Sequence, residues 1–167
     1  MTLENQKLLD HVGWQILRAL QEDARLSFTE LGRRVGLSLP AVAERVRRME
    51  EAGIILGYRA DVDTAKIGMA MAAFIRLSTT GSQYPKIIAL AQDLPEVMEC
   101  HHLTGTDSFI MKVIVSSIAH LETLITRLST YGQTTTSIVL SSPVVKRVVT
   151  KRFVEDGRDA SEGLNYS

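Results

Sequence analysis

The sequence predicts an α+β protein: an N-terminal helix-turn-helix, with or without a wing, followed by a C-terminal βαββαβ domain. Three observations predict it. Residues 27–53, SFTELGRRVGLSLPAVAERVRRMEEAG, hold two short helical patterns joined by a tight Gly36-Leu37-Ser38 turn. The second of these helices carries Arg45, Arg47 and Arg48. From residue 69 the apolar period switches between that of strands and that of helices.

In chain order, a first helix spans about 14–23, with Ile16, Leu17 and Leu20 as its buried stripe. Ser27 and Glu30 then form a capping box ahead of a helix carrying Leu31 and Val35. Gly36 stands where a helix end favours a left-handed residue. Ser38 caps the next helix, and Pro40 falls in its first turn, where a missing N–H costs little. Val42, Val46 and Met49 form its apolar stripe. At 100° per residue, Pro40, Glu44, Arg47 and Arg48 lie opposite, with Arg45 at the edge. Gly53 ends the helix. Residues 54–60, IILGYRA, read as strand-like, either the stub of a wing or the start of a connector.

The second half follows the same logic. Residues 69–78 read as a strand, 84–94 as a helix, 97–104 and 109–116 as two strands around the turn 105–108. Ser117 caps a helix that ends at Gly132, 134–143 is the last strand, and 144–154 is read as a possible further one. The order β-α-β-β-α-β is the ferredoxin-like arrangement. The expected domains are therefore 1–60, a helix-turn-helix domain for DNA, 61–68 as a linker, 69–154 as a ferredoxin-like domain, and 155–167 as a disordered tail. In the first strand Met69, Met71, Ala73, Ile75 and Leu77 alternate with Ala70, Ala72 and Phe74, so both faces are apolar. Helices cover one face of such a sheet. The other calls for a second subunit.

Composition narrows the classes. The 167 residues carry no formal net charge, so attraction to nucleic acid must be local. Residues 31–49 supply it, with Arg33, Arg34, Arg45, Arg47 and Arg48 against Glu44 alone. One cysteine, Cys100, excludes an intrachain disulfide and a multi-cysteine metal site. The opening MTLENQKLLD has no apolar signal core, and the run 67–75 is far short of the roughly 18–20 residues of a membrane span, so a cytoplasmic protein with no membrane partner is expected. His101 and His102 are adjacent on a strand and point to opposite faces, whereas Cys100 and His102 share one.

The segment LDHVGWQILRALQEDARLSFTELGRRVGLSLPAVAERVRRMEEAGIILGYRADVD resembles the DNA-binding half of the Lrp/AsnC family of prokaryotic regulators. The stretches HHLTGTDSFIMKV and TTTSIVLSSPV resemble its C-terminal effector domain. The resemblance runs from residue 8 to about 154. It implies dimers built through the C-terminal domain and often assembled into octamers, with amino-acid effectors between dimers. Two departures stand out. The family usually has an acid where this chain has Gly13, a lost cap expected to cost about 1 kcal/mol. Relatives often have an acid at Ser108, where this chain has Asp107 beside it.

The expected function is a sequence-specific transcriptional regulator of double-stranded DNA, tuned by an amino acid and needing no cofactor. Its DNA contacts are Ser38, Leu39, Pro40, Ala41, Glu44, Arg45, Arg47 and Arg48. Its effector contacts are Leu103, Gly105, Thr106, Asp107, Ser108, Thr134, Thr136 and Ser137. Two rivals stand beside it: an architectural protein that wraps DNA with little sequence preference, and a metabolic enzyme using Cys100 and His102.

Overall fold

The structure is a computed structural model that describes residues 3–162. Contacts divide the chain into two compact units, one made of residues up to Ala60 together with those from Val144 onward, the other of Asp61–Pro143.

The first unit contains α1 (Leu3–Leu8), α2 (His11–Glu22), α3 (Phe28–Val35) and α4 (Leu39–Glu51). Leu8, Ile16, Leu20, Leu31, Val35, Val42, Val46 and Met49 are buried together. Each such side chain contributes about 1.5–3 kcal/mol. Ser27 caps α3 by accepting the Glu30 N–H, and Gly36 is left-handed, as the sequence requires. Ser38 occupies the N-cap of α4 without a side-chain cap bond.

The start of α2 corrects an expectation. The helix begins at His11 because the Asp10 carboxylate accepts the Gly13 N–H at 2.8 Å. No cap is missing at Gly13. That residue serves a close approach instead: a Cβ there would lie 1.9 Å from the Leu8 carbonyl oxygen and 3.0 Å from Met49 Cε. The strand expected at 54–60 is also absent. The N–H groups of Ile54 and Ile55 both turn back to the Met49 carbonyl, and their side chains pack on the helical core. No described residue offers residues 56–60 a ladder.

The second unit opens on a 3₁₀ turn, Thr64–Ile67, within the expected linker. It continues with β1 (Met71–Ser78), α5 (Tyr84–Asp93), β2 (Val97–His102), β3 (Phe109–Val115), α6 (Ile118–Ser129) and β4 (Gln133–Ile138). The sheet is antiparallel in the order β2-β3-β1-β4, the ferredoxin-like topology. Ile75, Leu77, Phe109, Met111 and Val113 form its buried face with Ile87, Leu121, Leu124 and Leu128 of the two helices. On the opposite face Phe74 is 39% exposed, beside half-buried Ala72, Ile110, Lys112 and Ile114.

Beyond β4 the outcome differs from expectation. Val139 adds one more bond to Ala72, and residues 140–150 then have no regular structure, so the strand read over 144–154 does not form. Val149 instead meets α2, within the first unit. The Gln21 amide donates to its carbonyl at 3.0 Å and accepts its N–H at 2.9 Å. Helix α7 (Lys151–Glu162) follows. Residues 155–162 are therefore helical rather than disordered, helped by the i,i+4 pairs Lys151–Glu155 at 3.0 Å and Arg152–Asp156 at 3.3 Å. Residues 163–167 lie outside the described residues. No described helix is long and apolar enough to cross a membrane.

Candidate nucleic-acid interface and ligand loop

Helices α3 and α4, joined through Gly36-Leu37-Ser38, form the helix-turn-helix. The Val42, Val46 and Met49 stripe faces inward and leaves Ser38, Leu39, Pro40, Ala41, Glu44, Arg47 and Arg48 exposed. The first turns of α4 therefore present a small, flat surface ahead of a charged one. Glu44 receives Arg47 in a fork, with Nε at 3.0 Å and Nη2 at 2.8 Å, and Arg47 also reaches Glu51 at 2.5 Å. The Arg47 bonds hold the Glu44 carboxyl below the usual carboxylate range.

Arg45 sits apart from this surface. Its guanidinium meets Asp10 at 2.5 Å, with only 26% of its side chain exposed. Its Nε is buried without a hydrogen-bond partner among the described residues. Arg45 thus ties α4 to the cap of α2. Sequence reasoning also missed neighbours of α4. Phe28 is 41% exposed and lines a groove with Pro40, Ala43, Glu44, Arg47 and Glu50. The exposed Arg33 and Arg34 both bond to Glu30, at 2.9 and 3.2 Å. Glu30 and Glu51 lie just outside the arginine-rich window and pull down its apparent charge surplus. Such exposed pairs contribute little to stability.

At one end of the sheet, the loop 103–108 is tied to the end of β1. Leu103 N–H donates to the Ser108 carbonyl, and Ser108 N–H to the Leu77 carbonyl, both at 2.8 Å. Ser108 is 7% exposed; its Oγ donates to the Thr79 carbonyl at 3.1 Å and accepts the Thr79 N–H at 3.2 Å. A serine at 108 therefore closes the loop onto the strand. Asp107 accepts from Ser78 Oγ at 3.1 Å and lies 3.8 Å from the Arg76 guanidinium. Gly105 has φ 108°, a left-handed conformation, and a Cβ there would point into open space. Exposed Thr106 lends its carbonyl to Ser78 Oγ at 3.0 Å.

Thr134 pairs across from Leu77, whose carbonyl holds this loop, so it lies at the same end of the sheet. Thr136 pairs with Ile75 and shares the helix-covered face with Thr134. Ser137 pairs with Phe74 and points to the opposite face. The three hydroxyls expected to act together are therefore split between two faces.

Cys100 and His102 share a face, as expected, and line a cleft with Ile88, Ala91 and Gln92 of α5. The His102 ring stacks on Phe109 at 5.0 Å and meets the edge of Tyr84 at 4.7 Å. Burial pushes the Cys100 thiol up, away from the thiolate that nucleophilic chemistry needs. Among the described residues no group of three metal-ligating side chains occurs.

A sequence model of the AsnC-type helix-turn-helix domain matches residues 9–50, and one of the Lrp/AsnC ligand binding domain matches residues 72–149. The chain is 34% identical over 133 residues to the HTH-type transcriptional regulator LrpC of Bacillus subtilis, covering 80% of this chain and 92% of that protein. It is 34% identical over 146 residues to the regulatory protein AsnC of Escherichia coli, covering 84% and 96%. The transcriptional regulator NMB0573 of Neisseria meningitidis, solved as its L-Met complex, superposes with a TM-score of 0.81 at 28% identity, covering 87% of this chain and 99% of that one.

Proposed function

The chain belongs to the Lrp/AsnC family, whose members named above are transcriptional regulators rather than enzymes, and from that premise we propose that it is a cytoplasmic, sequence-specific DNA-binding regulator that responds to an amino acid. Ser38, Leu39, Pro40 and Ala41 enter the major groove with the N-terminal half of α4. The Ala41 methyl meets a thymine methyl, Glu44 accepts from a cytosine amino group, and Arg47 and Arg48 meet guanine or phosphate. Arg45 acts indirectly, by fixing α4 against Asp10.

The observation that carries the effector reading is the loop around Gly105, held rigidly at both ends while its tip stays open. Its exposed backbone suits a carboxylate, and Asp107 suits an ammonium group. Leu103, Thr106 and Thr134 frame that end of the sheet, with Ser108 as the fastener and Thr136 and Ser137 farther along β4. An amino-acid effector is in keeping with the L-Met complex of the Neisseria regulator. The open face around Phe74 is the surface through which two copies pair, and dimers join into octamers. A thermal-shift screen against the twenty amino acids tests the effector reading, since a ligand of the native state raises its stability. At least one amino acid is expected to raise Tm, and no shift from any of them contradicts the reading.

A further inference from the structure

We infer that the arm formed by residues 144–152 is a second DNA-binding element, which grips phosphates beside the helix-turn-helix. The inference rests on the reading of α3 and α4 as a DNA-binding motif. The arm reads VVKRVVTKR, four cations with no acid, and the first acid after it is Glu155. The motif it would serve is weakly charged. Residues 1–60 hold nine Lys and Arg against eight Asp and Glu. Arg33, Arg34, Arg45 and Arg47 are moreover engaged by carboxylates within that unit. Affinity for a duplex needs net neutralisation of phosphates, and no nine-residue stretch elsewhere in the chain carries as much net positive charge as the arm.

Its position fits that role. The Gln21 amide brackets both backbone groups of Val149, a two-point attachment that fixes the arm on the last turn of α2. The chain leaves α2 at Asp23 and enters α3 at Ser27. α3 is the helix of such a motif that crosses the DNA backbone. The arm is thus anchored next to the segment that leads to the backbone.

The charges of α7 point the same way. Lys151 and Arg152 stand in its first turn, where the helix dipole disfavours cations and favours an anion. Their partners Glu155 and Asp156 are exposed and follow them in the less favourable order. A phosphate there answers both the two side chains and the dipole. Lys151 and Arg152 lie beyond the residues matched by either family model, whereas Lys146 and Arg147 fall at the end of the ligand-binding match.

The test is the salt dependence of binding by the full chain to a 30-bp duplex of mixed sequence. Each phosphate contact contributes about 0.9 to the slope of log K against log salt. The variant Lys146→Ala, Arg147→Ala, Lys151→Ala, Arg152→Ala should reduce the slope by about 2–4 and weaken binding at least tenfold. The charge-keeping variant Lys146→Arg, Arg147→Lys should retain the wild-type slope. An unchanged slope in the alanine variant overturns the arm's role. So does a loss of affinity at constant slope, or an effect confined to oligomer size in light scattering. If the wild-type protein binds no duplex, the DNA reading of the motif itself fails, a result distinguishable from failure of the arm alone.

Discussion

Restoring an acid at position 13 should destabilise this protein. Asp10 already accepts the Gly13 N–H at 2.8 Å, so Gly13→Asp gains no cap. It does introduce a Cβ 1.9 Å from the Leu8 carbonyl oxygen and 3.0 Å from Met49 Cε. The first obstacle is backbone, which cannot rotate away as a side-chain tip can. α1 must then shift, uncovering buried Leu8. Overpacking of this kind costs typically 1–3 kcal/mol, and contact with a backbone carbonyl places the cost near about 3 kcal/mol. For a unit of this size that lowers Tm by more than about 10 °C. The only tryptophan, Trp14, is the next residue and reports unfolding of this unit by fluorescence in urea. Asp10→Ala is the companion: it should lose about 1 kcal/mol of capping and also leave Arg45 without its carboxylate. A Gly13→Asp protein as stable as wild type, or more so, refutes the close approach and returns Gly13 to the status of a lost cap.

Three further outcomes follow from the structure. Phe74→Glu places a charge on the open sheet face, the proposed pairing surface, and should give monomers in light scattering at micromolar concentration where wild type is at least dimeric; equal size of the two proteins removes that face from assembly. Gly105→Leu forces a branched side chain into a left-handed backbone at the loop tip, and should abolish any amino-acid-induced thermal shift while leaving DNA affinity intact; a full response puts the pocket elsewhere. Burial, together with a bond to Glu50 at 2.9 Å, pushes the Tyr58 phenol up to about 12. Because the folded state holds this proton more tightly, the contribution is complete below about pH 10 and is lost as pH rises toward 12. Tyr58→Phe should therefore show a shallower loss of Tm over that range, and an identical alkaline slope contradicts the assignment.

What could be read from the sequence was local. Ser27, Glu30 and Gly36 mark α3 because capping and left-handed turns are decided within a few residues, and the alternation in β1 and β3 marks the sheet for the same reason. What could not be read depends on distant partners. Arg45, at the edge of its helix stripe, shows its role only with Asp10 beside it; the arginine patch, by contrast, looks unopposed only because the window 31–49 stops short of Glu30 and Glu51, each within one turn. Residues 144–149 have the valine content of a strand, but β propensity needs a neighbouring strand, and Gln21 takes Val149 instead. The turn at 105–108 is local and could be picked out, whereas the division of Thr134 and Thr136 from Ser137 depends on β4 pairing in register with β1.

The central claim, that the outer face of α4 reads base sequence, is tested most directly by selecting bound duplexes from a random pool with wild-type protein and with Glu44→Gln and Arg48→Ala variants. The account predicts that wild type enriches a roughly palindromic sequence with half-sites about one helical turn apart. Glu44→Gln should change the preferred base at a fixed position in each half-site, because an amide replaces the acceptor offered to cytosine. Arg48→Ala should weaken one position by about 1–3 kcal/mol if it reads guanine, or all sequences equally if it holds phosphate. An unenriched pool, or identical preferences and affinities in all three proteins, would contradict it.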